Sequence, residues 1–485
     1  MPASYVLSRF PVPSSVRDFA LGLVQQFSAD EQRFFFHLLA SNLINLQRNR
    51  KRNVDAWVGC EVELPCQTID ALFGTRFSWH ALHQAGCISV SEYSWTRHQC
   101  KAFSVERGIL DRVCGLFDLP TAVACEQSLV NLFDGQPHAP APPPYQDPDS
   151  KLFTRQWVRD AAGLISSCIF SGDALDQHLD KVKSDSQNGE LSREARITAV
   201  HRYYNDRACA QRIKFDCKAL GNGFYEYRPN YRSQYSGRLT EVGGGVQSCT
   251  RDMKRAVFDS VNGVRNYDLK ASQAYALLQD LEDAQIDPTW LTQYFQKPDT
   301  ATAYGEKLGI SKDTFKRCLY ATVMGAEFSN YRDPESNSIY GALLDELEDE
   351  ARAAAVMKDV HTELAAFKSG VDTWHDWLML SPNCPYVMSN RRERTLLNEC
   401  DMEFRLASEE DGGRRKRRAA AFILQGREAA YVHRLTLLAP KYGFTPISNQ
   451  HDGLVTIGEI PAEAQEQAKT QSGFRYARLE EKAFC

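Results

Sequence analysis

Two aspartates far apart in the chain each lie in a short apolar, strand-like run. Asp268 sits in Val264-Arg265-Asn266-Tyr267-Asp268-Leu269, and Asp452 in Ile447-Ser448-Asn449-Gln450-His451-Asp452-Gly453-Leu454-Val455. A carboxylate in such a run costs free energy unless a cation or hydrogen bonds compensate it. Two of them brought together repel, and a divalent metal relieves the repulsion. Between them, Lys312, Lys316, Tyr320 and Met324 recur at steps of four and so share one helix face, with Phe315, Leu319 and Val323 as the adjoining apolar stripe. Two lysines one turn apart repel unless they share an anion, and a triphosphate is a suitable one; a chance pair of surface lysines is the plainer alternative. Metal-holding carboxylates beside a cationic helix face are the equipment of nucleotidyl transfer.

The elements that must position these groups have ample chain to draw on. At 485 residues there is room for two to four domains, and 43% hydrophobic with 25% charged residues is ordinary for a soluble globular protein. No apolar run approaches the roughly 20 residues of a membrane span, and Met1-Pro2-Ala3-Ser4 does not begin a secretion signal. The expected location is cytoplasmic. A net charge of −5 argues neither for nor against nucleic acid, because binding depends on local charge. The fourteen cysteines include no Cys-x-x-Cys. Cys60, Cys66, Cys87 and Cys100 are the one group suggestive of zinc, against the favoured reading of reduced, mostly buried thiols.

The proline-dense stretch Pro137 to Pro144, continuing through Asp147-Pro148-Asp149, predicts a stiff extended linker over 137–150. It sets off an N-terminal module, 1–136. There, helical periodicity over Asp30 to Leu46 ends in the basic run Arg48 to Arg52, with shorter helices near Thr68 to Phe73 and Trp79 to Ala85. Gly86 stops the last one, and Cys87 to Tyr93 and Ala102 to Val105 alternate like a hairpin. Three helices followed by a two-stranded wing resemble a winged-helix domain, with a generic small α+β domain as the alternative. Arg97, His98, Gln99 and Lys101 of the wing would face DNA phosphates, and one helix would enter the major groove. Leu152 to Lys218 reads as helical. Between Arg202 and Arg255 basic residues interleave with Tyr203, Tyr204, Phe224, Tyr225, Tyr227, Tyr231 and Tyr235. That pattern suits a nucleic-acid track or, equally, a solvated face over core aromatics. The acidic run Asp345 to Glu350 reads as a solvated helix face.

Several short blocks resemble those of family A DNA polymerases. Tyr235-Ser236-Gly237-Arg238-Leu239-Thr240 with Val246-Gln247 resembles that family's Thr-Gly-Arg-Leu-Ser-Ser and Leu-Gln block. Met253-Lys254-Arg255-Ala256-Val257-Phe258 looks like Ile-Arg-x-Ala-Phe. Tyr267 to Gln273 is similar to motif A, and the lysine helix through Gly325 to motif B. Leu424-Gln425-Gly426-Arg427-Glu428-Ala429-Ala430 looks like Gln-Gly-Thr-Ala-Ala-Asp, and Gln450-His451-Asp452-Gly453-Leu454-Val455 resembles motif C. The blocks follow in family order over residues 225–458, about half the chain.

The resemblance implies an α+β, right-hand fold of palm, fingers and thumb behind the small winged-helix-like domain. A helical thumb-like region would occupy 151–224, and the palm 225–485 with fingers inserted at about 285–400. Asp268 and Asp452 would hold two Mg²⁺ ions, for which Mn²⁺ can substitute. Lys316 would bind the α- and β-phosphates and protonate pyrophosphate, and Lys312 would contact the γ-phosphate. Tyr320 would stack by the incoming nucleotide. Arg238, Gln247 and Gln425 would touch the primer–template minor groove, and His451 the primer terminus. Arg391 to Arg394 and Arg414 to Arg418 would flank the template path, the second run being equally readable as a mobile loop. Partners would be primer–template DNA or single-stranded template, nucleoside triphosphates and, through the N-terminal module, origin DNA.

Departures from the family bear on selectivity. Gln273 stands where a Glu excludes the ribose 2′-OH, Gly453 replaces a second carboxylate, Met324 replaces Tyr, and Lys312 replaces Arg and loses its bidentate fork. The nearest look-alike of an exonuclease Asp-x-Glu is Glu61-Val62-Glu63, so proofreading is expected to be absent. The expected activity is a DNA polymerase replicating a small element such as a plasmid or phage. The alternatives are a primase or RNA polymerase of the same fold and a non-catalytic origin-binding initiator.

Overall fold

In the computed structural model the described residues are 7–48, 61–74, 77–91, 101–138, 143–146, 153, 155–297, 299–328, 339–388, 391, 393–406 and 412–484. Helices and small antiparallel sheets segregate along the chain, so the class is α+β. The sheet that matters has the strand order Thr445–Asn449, Gly453–Ile457, Val264–Leu269, Leu479–Lys482, antiparallel throughout. Alternation along Val264–Leu269 sends Tyr267 and Leu269 into the main apolar core and turns Asp268 to the other face.

The 31-residue helix Gly412–Tyr442 runs through that main core. Its Arg427 is buried with Asp280 at 2.8 Å and Glu399 at 2.6 Å, and donates to the Ala276 carbonyl at 2.9 Å. This cluster ties the long helix to Ser272–Asp283, the helix that follows Asp268. Removing Arg427 would leave two buried acids without their cation, so the cluster is costly to break.

Between the two aspartate strands the chain makes a helical subassembly: Thr289–Gln296, Thr300–Leu308, Lys312–Val323, Ile339–Leu347 and Glu350–Leu380. The lysine helix is capped by Ser311, whose Oγ accepts from the Thr314 N–H at 3.1 Å. Its apolar stripe is placed as its spacing predicts. Phe315, Leu319 and Val323 are buried, and Phe315 stacks on Tyr304 with centroids 4.9 Å apart. The acidic run is not one solvated face. It spans a corner between two helices, with Glu348 at φ 53°, Asp349 capping Arg352, and Glu346 accepting from Ser311.

The N-terminal helices lie at Ser14–Val24, Ala29–Arg48, Cys66–Phe73 and His80–Gln84. Ile88–Val90 and Ala102–Val105 pair as a hairpin, and Val62–Glu63 adds a third strand. Gly86 ends its helix at φ 68°, a backbone region that favours glycine. The wing residues Arg97, His98 and Gln99 lie outside the described residues, as do Cys60, Cys100 and the Cys66 side chain; Cys87 is a buried free thiol.

Three expectations are corrected. Residues 152–218 are not helical throughout: Cys168–Ser171 is a strand, paired with Phe224–Tyr227, which also pairs Cys217–Gly221. Cys168 and Phe170 are fully buried there, and burial of alternate side chains outweighs the helical periodicity around them. The proline-rich stretch is not a bare spacer, because Tyr145 buries its ring in the main core and donates to the Pro229 carbonyl at 3.3 Å. The basic run Arg414 to Arg418 lies within the helix Gly412–Tyr442 and is no loop.

Candidate active site

The strand register fixes the two aspartates as neighbours. Asp268 pairs with Gly453, the residue after Asp452, and the Leu269 N–H donates to the Asp452 carbonyl at 2.8 Å. The turn Gln450-His451-Asp452 is tight: the Gln450 N–H donates to the Gly453 carbonyl at 3.0 Å, and His451 takes φ 68°. Gly453 is required by close approach. A Cβ added there would lie 2.2 Å from the Tyr267 carbonyl oxygen, so no carboxylate-bearing residue fits at this position on this backbone.

A third carboxylate joins them. Glu428, on the long helix, is fully buried and accepts from the Ser272 hydroxyl and from Arg238 Nη2. Burial first, then the charges of Glu428 and Asp268, push the Asp452 carboxyl up to about 7. Arg238 on Glu428 and Lys482 on Asp268 leave this repulsion only partly offset, and a hard divalent cation would relieve it. Among the described residues no group of three or more His, Cys, Asp or Glu side chains is arranged to hold a metal ion. Two carboxylates with the remaining positions left to water and substrate phosphates are nonetheless a sufficient donor set for Mg²⁺. The residues fit the ion.

Beside the carboxylates opens a pocket of about 610 Å³. Lys270, Lys297, Lys312, Lys316, Arg478 and Lys482 line it, against only Asp299 and Glu480. Lys312 lies 3.5 Å from Asp299. Lys316 is half-buried and has no ionic partner among the described residues. An ammonium that lines a cationic pocket without an acid is repelled by its neighbours, and an arriving anion would relieve this. Tyr320, on the same helix face, is raised by burial first and further by Glu428, Asp452 and Asp268, which places it toward the carboxylates. Tyr275 stacks on Phe295 at 3.9 Å and 12°, with the Arg478 guanidinium 4.9 Å from the Tyr275 centroid.

The remaining residues divide. Gln273, in the first turn of Ser272–Asp283, and Gln425, on the long helix, are half-buried, and neither side chain makes a hydrogen bond among the described residues. His451 is half-buried with Nδ1 unpaired, its pKa lowered by burial and then by Arg238. Gln247 is not available to a nucleic acid. It is buried, its amide donates to the Leu239 and Asn449 carbonyls at 3.0 Å each, and its oxygen accepts from the Glu241 N–H at 2.8 Å. Its action is on the Asp452 hairpin. The same network continues through Glu241, which accepts from Tyr227 Oη at 2.8 Å and is pushed up to about 7 by burial.

The aromatic-rich stretch resolves mostly into core. Tyr225, Tyr227 and Tyr231 are buried, Tyr203 donates to Asp118, and Arg202, Arg207 and Arg212 are paired with acids. Tyr235 differs, being 45% exposed and stacked on Phe422. Arg391 pairs with Glu403, and Arg394 donates to the Leu378 and Ser381 carbonyls.

Sequence reasoning missed Glu428, Lys270, Arg478 and Lys482. Glu428 alone carried a signal, as the one acid in the block Leu424 to Ala430.

No family model matches the chain, and no curated protein matches it. Among solved structures it is similar to the POL domain of Pol1 from M. smegmatis in complex with DNA primer-template and dNTP. Identity is 11%, over 67% of this chain and 69% of that one, with a TM-score of 0.44. A likeness at that score decides neither fold nor function.

Proposed function

We propose that the chain is a template-directed nucleotidyltransferase, a DNA polymerase without proofreading, built as palm, fingers and thumb. The observation that carries this reading is the half-buried Lys316, without an ionic partner among the described residues, in a strongly cationic pocket beside Asp268 and Asp452. Cations shaped for a polyphosphate and carboxylates in want of a divalent ion are adjacent, and phosphoryl transfer needs both.

Asp268 and Asp452 would hold Mg²⁺ or Mn²⁺, which when bound activates the attacking hydroxyl and neutralises the triphosphate. Lys316 binds the α- and β-phosphates and is placed to give a proton to pyrophosphate, and Lys312 meets the γ-phosphate. Tyr320 supplies a face to the nucleotide. Arg238, held by Glu428, and Gln425 meet the primer–template, while His451 meets the primer end. Gln247 fixes the hairpin that carries Asp452.

The N-terminal helices and three-stranded sheet support a winged-helix module that would recognise origin DNA of a plasmid or phage. A second reading, primase or RNA polymerase, is favoured by Gln273. Its uncommitted neutral amide can both donate to and accept from a 2′-OH, whereas a carboxylate can only accept. The test is incorporation with Mg²⁺ or Mn²⁺, comparing dNTP with rNTP and primed with unprimed template. Primed dNTP incorporation lost in Asp452→Ala supports the first reading. Unprimed rNTP product would establish the second, and incorporation unchanged in Asp452→Ala would refute the site.

A further inference from the structure

The edge strand Leu479–Lys482 has no part in the mechanism above, yet it supplies charge to the site. Its register sets Glu480 opposite Asp268 and Lys482 opposite Asn266. Opposed and alternate residues share a face, so Asp268, Lys270, Glu480 and Lys482 stand together. Directly opposed carboxylates repel, and the two lysines answer them on the diagonals. Lys270 lies 2.9 Å from Glu480, and Lys482 Nζ donates to Asp268 Oδ2. The strand's other acid, Glu481, faces away and is held by Arg265 at 2.7 Å. Lys482 also lines the cationic pocket with Lys312, Lys316 and Arg478. One ammonium is thus in reach of both a metal-holding carboxylate and the polyphosphate site.

We propose that Lys482 is a resident counter-cation of the carboxylate pair. It neutralises Asp268 until a divalent ion binds, then turns to the triphosphate in the same pocket. The proposal rests on the polymerase reading of the site. Its physical basis is exposure: the side chains are 45% and 31% accessible, so the pair is held weakly enough to yield to an ion of twice the charge. Lys270 cannot replace it without uncovering Glu480. The flexible four-carbon stem of a lysine, with a compact charge at its end, suits movement between two anions.

The test is Mn²⁺ binding to the full chain without nucleotide, followed by paramagnetic resonance, together with nucleotide KM. Lys482→Ala should bind Mn²⁺ about 2- to 5-fold more tightly, the equivalent of one exposed ion pair, and should raise KM several-fold. Lys482→Arg, which keeps the charge and guards against a folding artefact, should leave Mn²⁺ affinity near the parent. Mn²⁺ affinity unchanged or weakened in Lys482→Ala would overturn the proposal, and an unchanged KM would overturn the transfer to the triphosphate. Asp268→Asn and Asp452→Asn separate the two levels. If neither weakens Mn²⁺ binding, the underlying polymerase reading fails, whatever Lys482 does.

Discussion

Replacing Gly453 by alanine adds one methyl at the point where the two aspartate strands cross closest. The added Cβ would sit 2.2 Å from the Tyr267 carbonyl oxygen and 3.3 Å from the Asp268 Cα. The first of these is backbone in the centre of a sheet, so no side chain can swing aside. Reaching an ordinary contact of 3.4 Å demands a strand separation of roughly 1.2 Å. Overpacking of this kind costs about 1–3 kcal/mol, and a rigid backbone neighbour places the cost at the upper end. The separation falls between Asp268 and Asp452, and a misplacement near 1 Å in a reacting constellation costs about 100-fold in rate. Urea denaturation should therefore show about 3 kcal/mol of lost stability, and primed incorporation with Mg²⁺ should fall by about two orders of magnitude. Gly189→Ala, where an added Cβ meets nothing and φ is not in the left-handed region, is the control for losing a glycine without the close contact. If Gly453→Ala keeps both stability and rate within twofold of the parent, the reasoning about strand approach is wrong.

Lys316→Ala should lower incorporation by about 10²- to 10³-fold, as loss of one electrostatic stabiliser does, while leaving nucleotide-free stability unchanged or higher, since the ammonium has no ionic partner among the described residues to lose; a large drop in stability would contradict its placement. Glu428→Ala leaves Arg238, 16% exposed, without its acid, and should destabilise by about 3–5 kcal/mol as read by denaturation midpoint. Glu241 gives a pH signature. Its folded pKa of about 7 lies above its ordinary 4.5, so stability is undiminished below pH 4.5, falls as pH rises toward 7, and is lower by about 3 kcal/mol beyond it. Glu241→Gln should flatten that part of the midpoint-versus-pH curve, and an unchanged slope would count against a buried ionisable Glu241.

What the chain determined by itself is local. Spacing placed the lysine helix and its stripe, and the apolar runs placed Asp268 on a strand and Asp452 in a hairpin turn, because helix and strand periods are properties of neighbouring residues. Neighbours in sequence do not reveal partners in space. Gln247, for which the resemblance implies a nucleic-acid contact, spends its amide on the Leu239 and Asn449 carbonyls. Glu428 reaches Ser272 through helix packing across 156 residues, and Lys482 reaches Asp268 through edge-strand register across 214. Tyr145 left a proline-rich spacer for the core because a buried ring outweighs the stiffness of its neighbours. The chemistry available was legible in residue types. Which charges meet, and which are already neutralised, was decided by tertiary register, since electrostatic work depends on distance and burial and neither is written along the chain.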